Sequence, residues 1–298
     1  MSQSTDPILD NPSSTSQTLD TDWTTIIRPT SKWFDLKLRE LWQFKDLIVL
    51  FVRRDFVARF KQTILGPLWY IIQPLFSSGI FTIVFGKFAG LPTDGLPQFI
   101  FYMSGNVVWG YFSRGLTATS GTFIANRGLF GKVYFPRLVV PVSTLISNLI
   151  SFGIQFALFV FFMGFFAVKG ATIQPNLWIL TFPLLMLMMA GLGLGSGIII
   201  SSATTKYRDL QQVVGFGVSL LMYATPIIYP LSAVPGKWKW VVLANPMTPI
   251  VETFRYAFLG AGTVNPLHLV YSGVFATVLL LIGILIFNRV ERTFMDTV

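Results

Sequence analysis

Residues 138–168 read LVVPVSTLISNLISFGIQFALFVFFMGFFAV, 31 positions without a single Asp, Glu, Lys or Arg. A charge near the centre of a bilayer costs about 3 kcal/mol on insertion scales, and a spanning helix needs about 20 mostly apolar residues. This stretch therefore predicts a membrane helix. Five more charge-free stretches accompany it, at residues 62–86, 95–113, 170–205, 210–236 and 256–288, each long enough to cross. Together they predict an all-α polytopic membrane protein with six transmembrane helices, near Leu68–Phe88, Phe99–Thr119, Val142–Val168, Leu177–Ser202, Val213–Tyr229 and Leu267–Phe287.

Composition points the same way. A chain of 298 residues that is 53% hydrophobic and 12% charged, with mean hydropathy +0.63, would expose too much apolar surface as a water-soluble fold. The net charge of +9 would suit nucleic acid in a soluble protein. Here the bases follow the loops instead, and no nucleic-acid partner is expected. With a cytoplasmic N-terminus, sixteen Lys and Arg fall inside and five fall outside, namely Lys87, Lys169, Lys237, Lys239 and Arg255. Positive loops stay inside, so both termini are expected to be cytoplasmic. Arg114 lies near the inner end of helix two, where its long side chain is expected to reach back toward the interface. With no cysteine, the chain uses neither disulfides nor thiolate metal sites.

Three regions are expected. Residues 1–31, rich in Ser, Thr, Asp and Gln and lacking the apolar run of a signal peptide, predict a disordered cytoplasmic tail. Residues 32–66 place Phe34, Leu38, Leu41, Ile48, Val52, Phe56 and Phe60 at helical spacing among basic residues, which predicts an amphipathic helix along the cytoplasmic face. Residues 67–298 hold the six spans. Within them the outer segment 230–266 is half apolar and broken by Pro and Gly, and neither half is long enough to cross. Short re-entrant helices before the last span are the expected form, shielded by protein or a water-filled cavity.

The chemistry that is missing narrows the function. Ion-coupled transporters and intramembrane enzymes place titratable groups at membrane depth, yet the charge-free stretches hold only His268, at the outer start of helix six. No carboxylate pair, metal-ligand cluster or nucleophilic constellation can be assembled on one side of the membrane, so neither a catalytic residue nor a metal site is expected. That argues against a membrane-bound acyl- or glycosyltransferase, the alternative from another class. A phosphate-cradling GxxxxGK[ST] run is absent. Gly191, Gly193, Gly195 and Gly197 superficially suggest a nucleotide loop, but they lie in an apolar helix and are better read as close packing by small residues. The chain reads as a passage without its own engine.

Four motifs then carry a resemblance. Residues 53–69, RRDFVARFKQTILGPLW, resemble the RRD...RYKQ..LG.LW signature of the membrane subunits of polysaccharide-exporting ABC transporters, with Phe60 where Tyr is usual. Residues 126–137, NRGLFGKVYFPR, are similar to that family's N..LI.KVYFPR segment after helix two. Residues 206–209, KYRD, follow, and residues 245–252, NPMTPIVE, with Arg255, resemble its NP.TPIVE..R stretch before the last helix. The resemblance covers roughly residues 40–292 in motif order.

The resemblance implies the type-2 ABC permease family: a homodimer forming a channel in the bacterial inner membrane, with two copies of a separate ATPase beneath it that bind ATP and Mg. This chain itself would carry no cofactor. The cargo would be a lipid-linked polysaccharide such as O-antigen or a related cell-surface glycan. A permease for a drug or small lipid is the alternative of like architecture.

The first two motifs supply the expected ATPase-coupling residues, Arg53, Arg54, Asp55, Arg59, Asn126, Phe130, Lys132, Tyr134, Phe135 and Arg137. Their mix of aromatic and basic groups suits a protein interface, and equally the headgroup level of a membrane. Sugars offer apolar faces and hydroxyls, so a path for them calls for aromatic rings and uncharged hydrogen-bonding groups. Helix one offers Trp69, Tyr70, Gln73 and Ser77, and helix five Phe216, Ser219, Tyr223 and Tyr229. The resemblance places these two helices beside the dimer channel, although such aromatics also serve ordinary packing. In the outer segment Glu252 and Arg255 stand three apart on one helix face and can pair, so that reversing both charges is expected to restore much of what either single reversal loses.

Overall fold

A computed structural model describes residues 38–61, 63–130, 132, 133, 135–204, 207 and 209–296, with 38–40, 127 and 291–296 described by backbone alone. The expected tail of residues 1–31 lies outside the described residues. Among those described, every regular element is helical: α1 (Leu38–Gln43), α2 (Lys45–Phe60), α3 (Trp69–Phe81), α4 (Gln98–Ser120), α5 (Thr122–Ala125), α6 (Arg127–Phe130), α7 (Val139–Val168), α8 (Phe182–Thr204), α9 (Leu210–Tyr223), α10 (Gly236–Ala244), α11 (Met247–Leu259) and α12 (Pro266–Asp296). Four continuous helical runs are long and apolar enough to cross a membrane, at Gly66–Phe88, Val139–Val168, Leu177–Thr204 and Pro266–Val290.

The other two expected spans differ from these for physical reasons. α4 has 23 residues, but fifteen of them are buried, because it is surrounded by α3, α7, α8, α9 and α11. A helix walled in by protein need not be apolar all round, and α4 carries Ser104, Asn106 and Arg114 among its large hydrophobic residues. α9 has 14 residues and ends at Tyr223, six short of the expected Tyr229. Pro226 disfavours helix at the residue before it, and the chain turns through 224–229. At the other ends, α7 starts one turn earlier than expected and α12 runs beyond Phe287 to Asp296.

Small residues set the packing at the centre. The four glycines of α8 alternate between two neighbours. A Cβ on Gly193 would stand 3.2 Å from the Phe112 carbonyl oxygen of α4, and one on Gly197 would stand 2.9 Å from the Leu116 carbonyl oxygen. On the other face Gly195 meets the backbone of Leu279 and Leu280 of α12, and Gly283 of α12 meets Gly195 in return. Two interleaved small-xxx-small faces thus bring three helices to backbone contact, the packing expected for that run.

α1 and α2 are the described helices within residues 32–66. The apolar residues of α2 cover the whole circumference of the first half, while Arg53, Arg54, Asp55 and Arg59 are interleaved in the second half. Only Phe51 is buried, in edge contact with Phe135 at 5.8 Å, and Val49, Leu50, Phe56 and Val57 stay exposed. Polarity therefore changes along the helix rather than across it.

The segment 230–266 folds as two short helices, α10 and α11, as its broken pattern requires. They differ sharply in environment. α10 exposes Trp238, Trp240 and Val241, whereas twelve of the thirteen residues of α11 are buried in the bundle. The last carbonyls of α11 are taken up from outside the helix: Gln174 N–H donates to Leu259 O, Asn176 N–H to Ala257 O, and the Asn176 amide to Tyr256 O. Gly260, left-handed at φ 76°, ends the helix, and a Cβ there would stand 2.8 Å from the Gln174 carbonyl oxygen.

Candidate functional site

The described residues among those expected to couple to an ATPase divide by exposure. Phe130 and Phe135 are buried, and with Phe51 and Phe123 they build an aromatic cluster whose ring centres stand 5.8 to 5.9 Å apart. Phe123 stacks in turn on Phe287 of α12 at 4.6 Å. Arg137, also buried, lies 5.4 Å from the centre of the Phe130 ring. These three side chains hold the 126–137 loop to the subunit's own core, so they offer no open surface. Asn126 is half-buried and fixes the local turn: its carbonyl accepts from Leu129 and Phe130 and its amide donates to Thr122 O. The exposed members are Arg53, Arg54, Arg59 and Lys132. Arg54 pairs with Asp55 at 2.8 Å and covers the Phe51 ring at 4.5 Å. Tyr134, Lys206 and Arg208 lie outside the described residues.

Two residues assigned to different purposes are joined. Arg59 donates to the Tyr70 hydroxyl at 2.7 Å, and Tyr70 also meets Phe60 edge-on at 5.3 Å, so the end of α2 is fastened to the start of α3. Elsewhere on α3, Trp69 and Gln73 face outward, while half-buried Ser77 accepts weakly from Asn106 of α4, whose stronger bond goes to Ser78 at 3.0 Å. No residue of α9 is buried; Phe216, Ser219 and Tyr223 are exposed along it. Tyr229 folds back and donates to the Tyr223 carbonyl at 3.0 Å, capping the end of α9.

Between α4 and α9 lies an open cleft of about 360 Å³ whose walls include Trp109, Arg114, Thr117, Val218 and Ser219. Arg114 is half-buried on one wall of this cleft. Its guanidinium lies over Gly110, one turn toward the middle of α4, and donates to Gln155 Oε1 of α7 at 2.8 Å. Gly110 and Gln155 were not singled out from the sequence. The signal for the α7 side was present, because Ser147, Asn148, Ser151 and Gln155 recur at helical spacing among apolar residues.

On α11, Glu252 and Arg255 pair at 3.3 Å, both buried. The pair is the centre of a larger lock. Arg255 donates to the carbonyls of Pro226 at 2.6 Å and Ile227 at 2.8 Å, and to Ser104 Oγ at 3.2 Å, while Glu252 accepts from the Thr263 N–H at 3.0 Å. Burial pushes the Arg255 guanidinium down to about 10, with Glu252 opposing the shift, so it remains charged at neutral pH. The rest of the motif is structural too. Asn245 accepts from the Met247 N–H and donates to Thr225 Oγ1, which starts α11 and ties it to the end of α9.

Residues 46–259 match the ABC-2 type transporter family. An O-antigen export system permease protein RfbA of Klebsiella pneumoniae is 30% identical over 256 residues, covering 84% of this chain and 94% of that relative. An RfbA permease of Myxococcus xanthus is 28% identical over 226 residues, 74% of this chain and 83% of the relative. A polysialic acid transport protein KpsM of Escherichia coli is 26% identical over 251 residues, 82% of this chain and 93% of the relative. The aligned span runs from α2, which carries the basic surface, through the buried lock of α11, and on that evidence the chain belongs to the ABC-2 type transporter family.

Proposed function

We propose that this chain is the membrane subunit of an ABC exporter that moves a lipid-linked polysaccharide, O-antigen or a related cell-surface glycan, across the bacterial inner membrane. The observation that carries this reading is the near full-length similarity to permeases named for O-antigen export and polysialic acid transport. Four apolar runs, the protein-enclosed α4 and the short α9 together make six crossings, with both termini on the cytoplasmic side where the basic loops lie. Two copies surround the path. Two copies of an ATPase dock on the surface that carries Arg53, Arg59 and Lys132, and supply the energy through ATP and Mg. The subunit itself transports and catalyses no bond change.

Loss of this chain should leave completed polysaccharide trapped on the inner side of the membrane while its synthesis continues. Surface staining and extraction of the glycolipid from inner membranes measure both. Unchanged surface glycan, or resistance to a toxic compound lost instead, would overturn the reading, the second in favour of a drug or small-lipid permease. Purified without its partner, the chain should hydrolyse no ATP, since it carries no phosphate loop.

A further inference from the structure

Arg114 is a charge without a counter-charge. Among the described residues it has no carboxylate partner, and its Nε makes no hydrogen bond. The neighbouring face of α7 is in the same condition. Leu145 lies against Gly115, Phe152 against Tyr111 and Gln155 against Arg114, so the stripe 145, 148, 152, 155 faces α4. Asn148 falls on that stripe, is 1% exposed, and has neither its amide oxygen nor its amide nitrogen bonded. The Ser151 hydroxyl on the adjacent turn is buried and unbonded as well. Native folds satisfy buried polar groups almost without exception, so the unbonded Nε of a cation without a carboxylate partner calls for an explanation.

The cleft supplies one. Arg114 lines the open space between α4 and α9, whose volume is at the low end of those typical of small-ligand sites. Ser113, Thr117 and Ser219 bring hydroxyls to its walls, and Val218 and Met222 make an apolar side. A cation beside an apolar wall matches the headgroup of an anionic amphiphile, and guanidinium is the side chain best shaped for phosphoryl oxygens. Neutral glycan hydroxyls would not require a charge. A polymer with an anion in every repeat would be held at each one, whereas a single anionic group on the lipid end passes the site once.

We propose that this cleft binds the phosphoryl group of the lipid that carries the glycan, with Arg114 as the charge that recognises it. The anion chemistry rests on the geometry; the identity of the lipid as the carrier rests on the function proposed above. Phospholipid headgroups offer the same phosphoryl chemistry, and the test separates the two sources.

The full chain in phosphatidylcholine nanodiscs is titrated with a polyprenyl phosphate, with the uncharged polyprenol, and with phosphatidylglycerol, and binding is followed by tryptophan fluorescence. The polyprenyl phosphate should bind at least tenfold more tightly than either of the others. Arg114→Gln should abolish that preference while leaving the melting temperature unchanged or raised, because a neutral amide removes an uncompensated buried charge. Ser219→Trp, which fills the cleft from α9 and leaves the Arg114–Gln155 bond alone, should abolish it too. Phosphatidylglycerol binding as tightly as the polyprenyl phosphate would make this a general lipid site and overturn the proposal. So would an Arg114→Gln chain that keeps the preference, or one that unfolds while Ser219→Trp binds normally, which would make Arg114 a structural charge. A chain that shows the preference yet proves dispensable for surface glycan would keep the site and lose the exporter reading.

Discussion

The guanidinium of Arg255 lies 3.8 Å from the centre of the Phe101 ring, which joins α11 to the middle helix α4 by a contact that no carboxylate makes. The pairing with Glu252 is therefore one bond among several. Gly105, on the same side of α4, leaves the room: a Cβ there would stand 3.0 Å from an Arg255 Nη and 2.8 Å from Ile227. Ring, carbonyls and carboxylate together fix α11 and the turn after α9 to α4.

This geometry reverses the expectation that exchanging the two charges restores function. An Arg255→Glu, Glu252→Arg double variant would aim a carboxylate at the carbonyl oxygens of Pro226 and Ile227, which are acceptors. The double variant should be no more stable than Arg255→Glu alone, and Arg255→Ala should cost about 3–5 kcal/mol, the usual loss on breaking a buried pair. Thermal unfolding in detergent measures both, and recovery of wild-type stability in the double variant would refute the lock.

The glycines of α8 make a second prediction. A Cβ on Gly195 would lie 2.8 Å from the Leu280 backbone nitrogen, and main chain cannot step aside as a side-chain tip can. Gly195→Ala should therefore cost about 1–3 kcal/mol through overpacking. Gly153, in α7, has nothing within 4 Å of its would-be Cβ, and Gly153→Ala should be neutral or stabilise by up to about 1 kcal/mol through helix propensity. Melting curves of the two variants should move in opposite directions or differ clearly; equal shifts would sink the packing account.

Phe130 and Lys132 are two residues apart yet should fail in different ways. Phe130 is locked among Phe123, Phe135 and Arg137, so Phe130→Ala should lower the stability of the subunit itself by about 3–5 kcal/mol, whether or not a partner is present. Lys132 is exposed, as is Arg53. Lys132→Glu and Arg53→Glu should leave the melting temperature almost unchanged but reduce the ATPase recovered with the permease, and the loss should grow at low salt, where a reversed charge repels an acidic partner surface most. If Phe130→Ala melts like wild type and Lys132→Glu keeps its full complement of ATPase, the division of this loop into core and surface is wrong.

What could be read in advance follows from the range over which each feature is determined. Lipid enforces apolarity along a whole helix, so α7, α8 and α12 are visible in local composition. α4 is enclosed by protein, and that enclosure comes from residues far along the chain. The Glu252–Arg255 pair is legible because three residues separate its members, but Ser104, which also binds Arg255, is 151 positions away. Aromatic and basic residues mix in the 126–137 loop in the same way whether they face a partner or fill a core. Only packing against Phe51 and Phe287 shows that Phe130 and Phe135 belong to the core.

α9 stands apart from the other expected spans in having no buried residue, and it carries the last prediction. Its 14 residues span about 21 Å, less than the roughly 30 Å of a bilayer core, and none is buried. Gln211, Gln212 and Ser219 are exposed along it beside Phe216 and Tyr223. A short helix with open polar groups is poorly matched to lipid on every side and better matched to a second copy or a wet path. α3 is open in the same manner at Trp69 and Gln73. A two-fold dimer that brings α3 and α9 together across its axis meets both needs, and native cysteine is absent, so introduced thiols report without background. Chains carrying cysteine at Gln73 together with Ser219, or at Gln73 together with Tyr223, should give a dimer-sized crosslinked band on oxidation in membranes, because a disulfide closes only when the two Cα atoms come within about 7 Å. Crosslinks confined to single chains throughout α3 and α9, with a monomer that exports at full rate beside its ATPase, would eliminate a path between subunits.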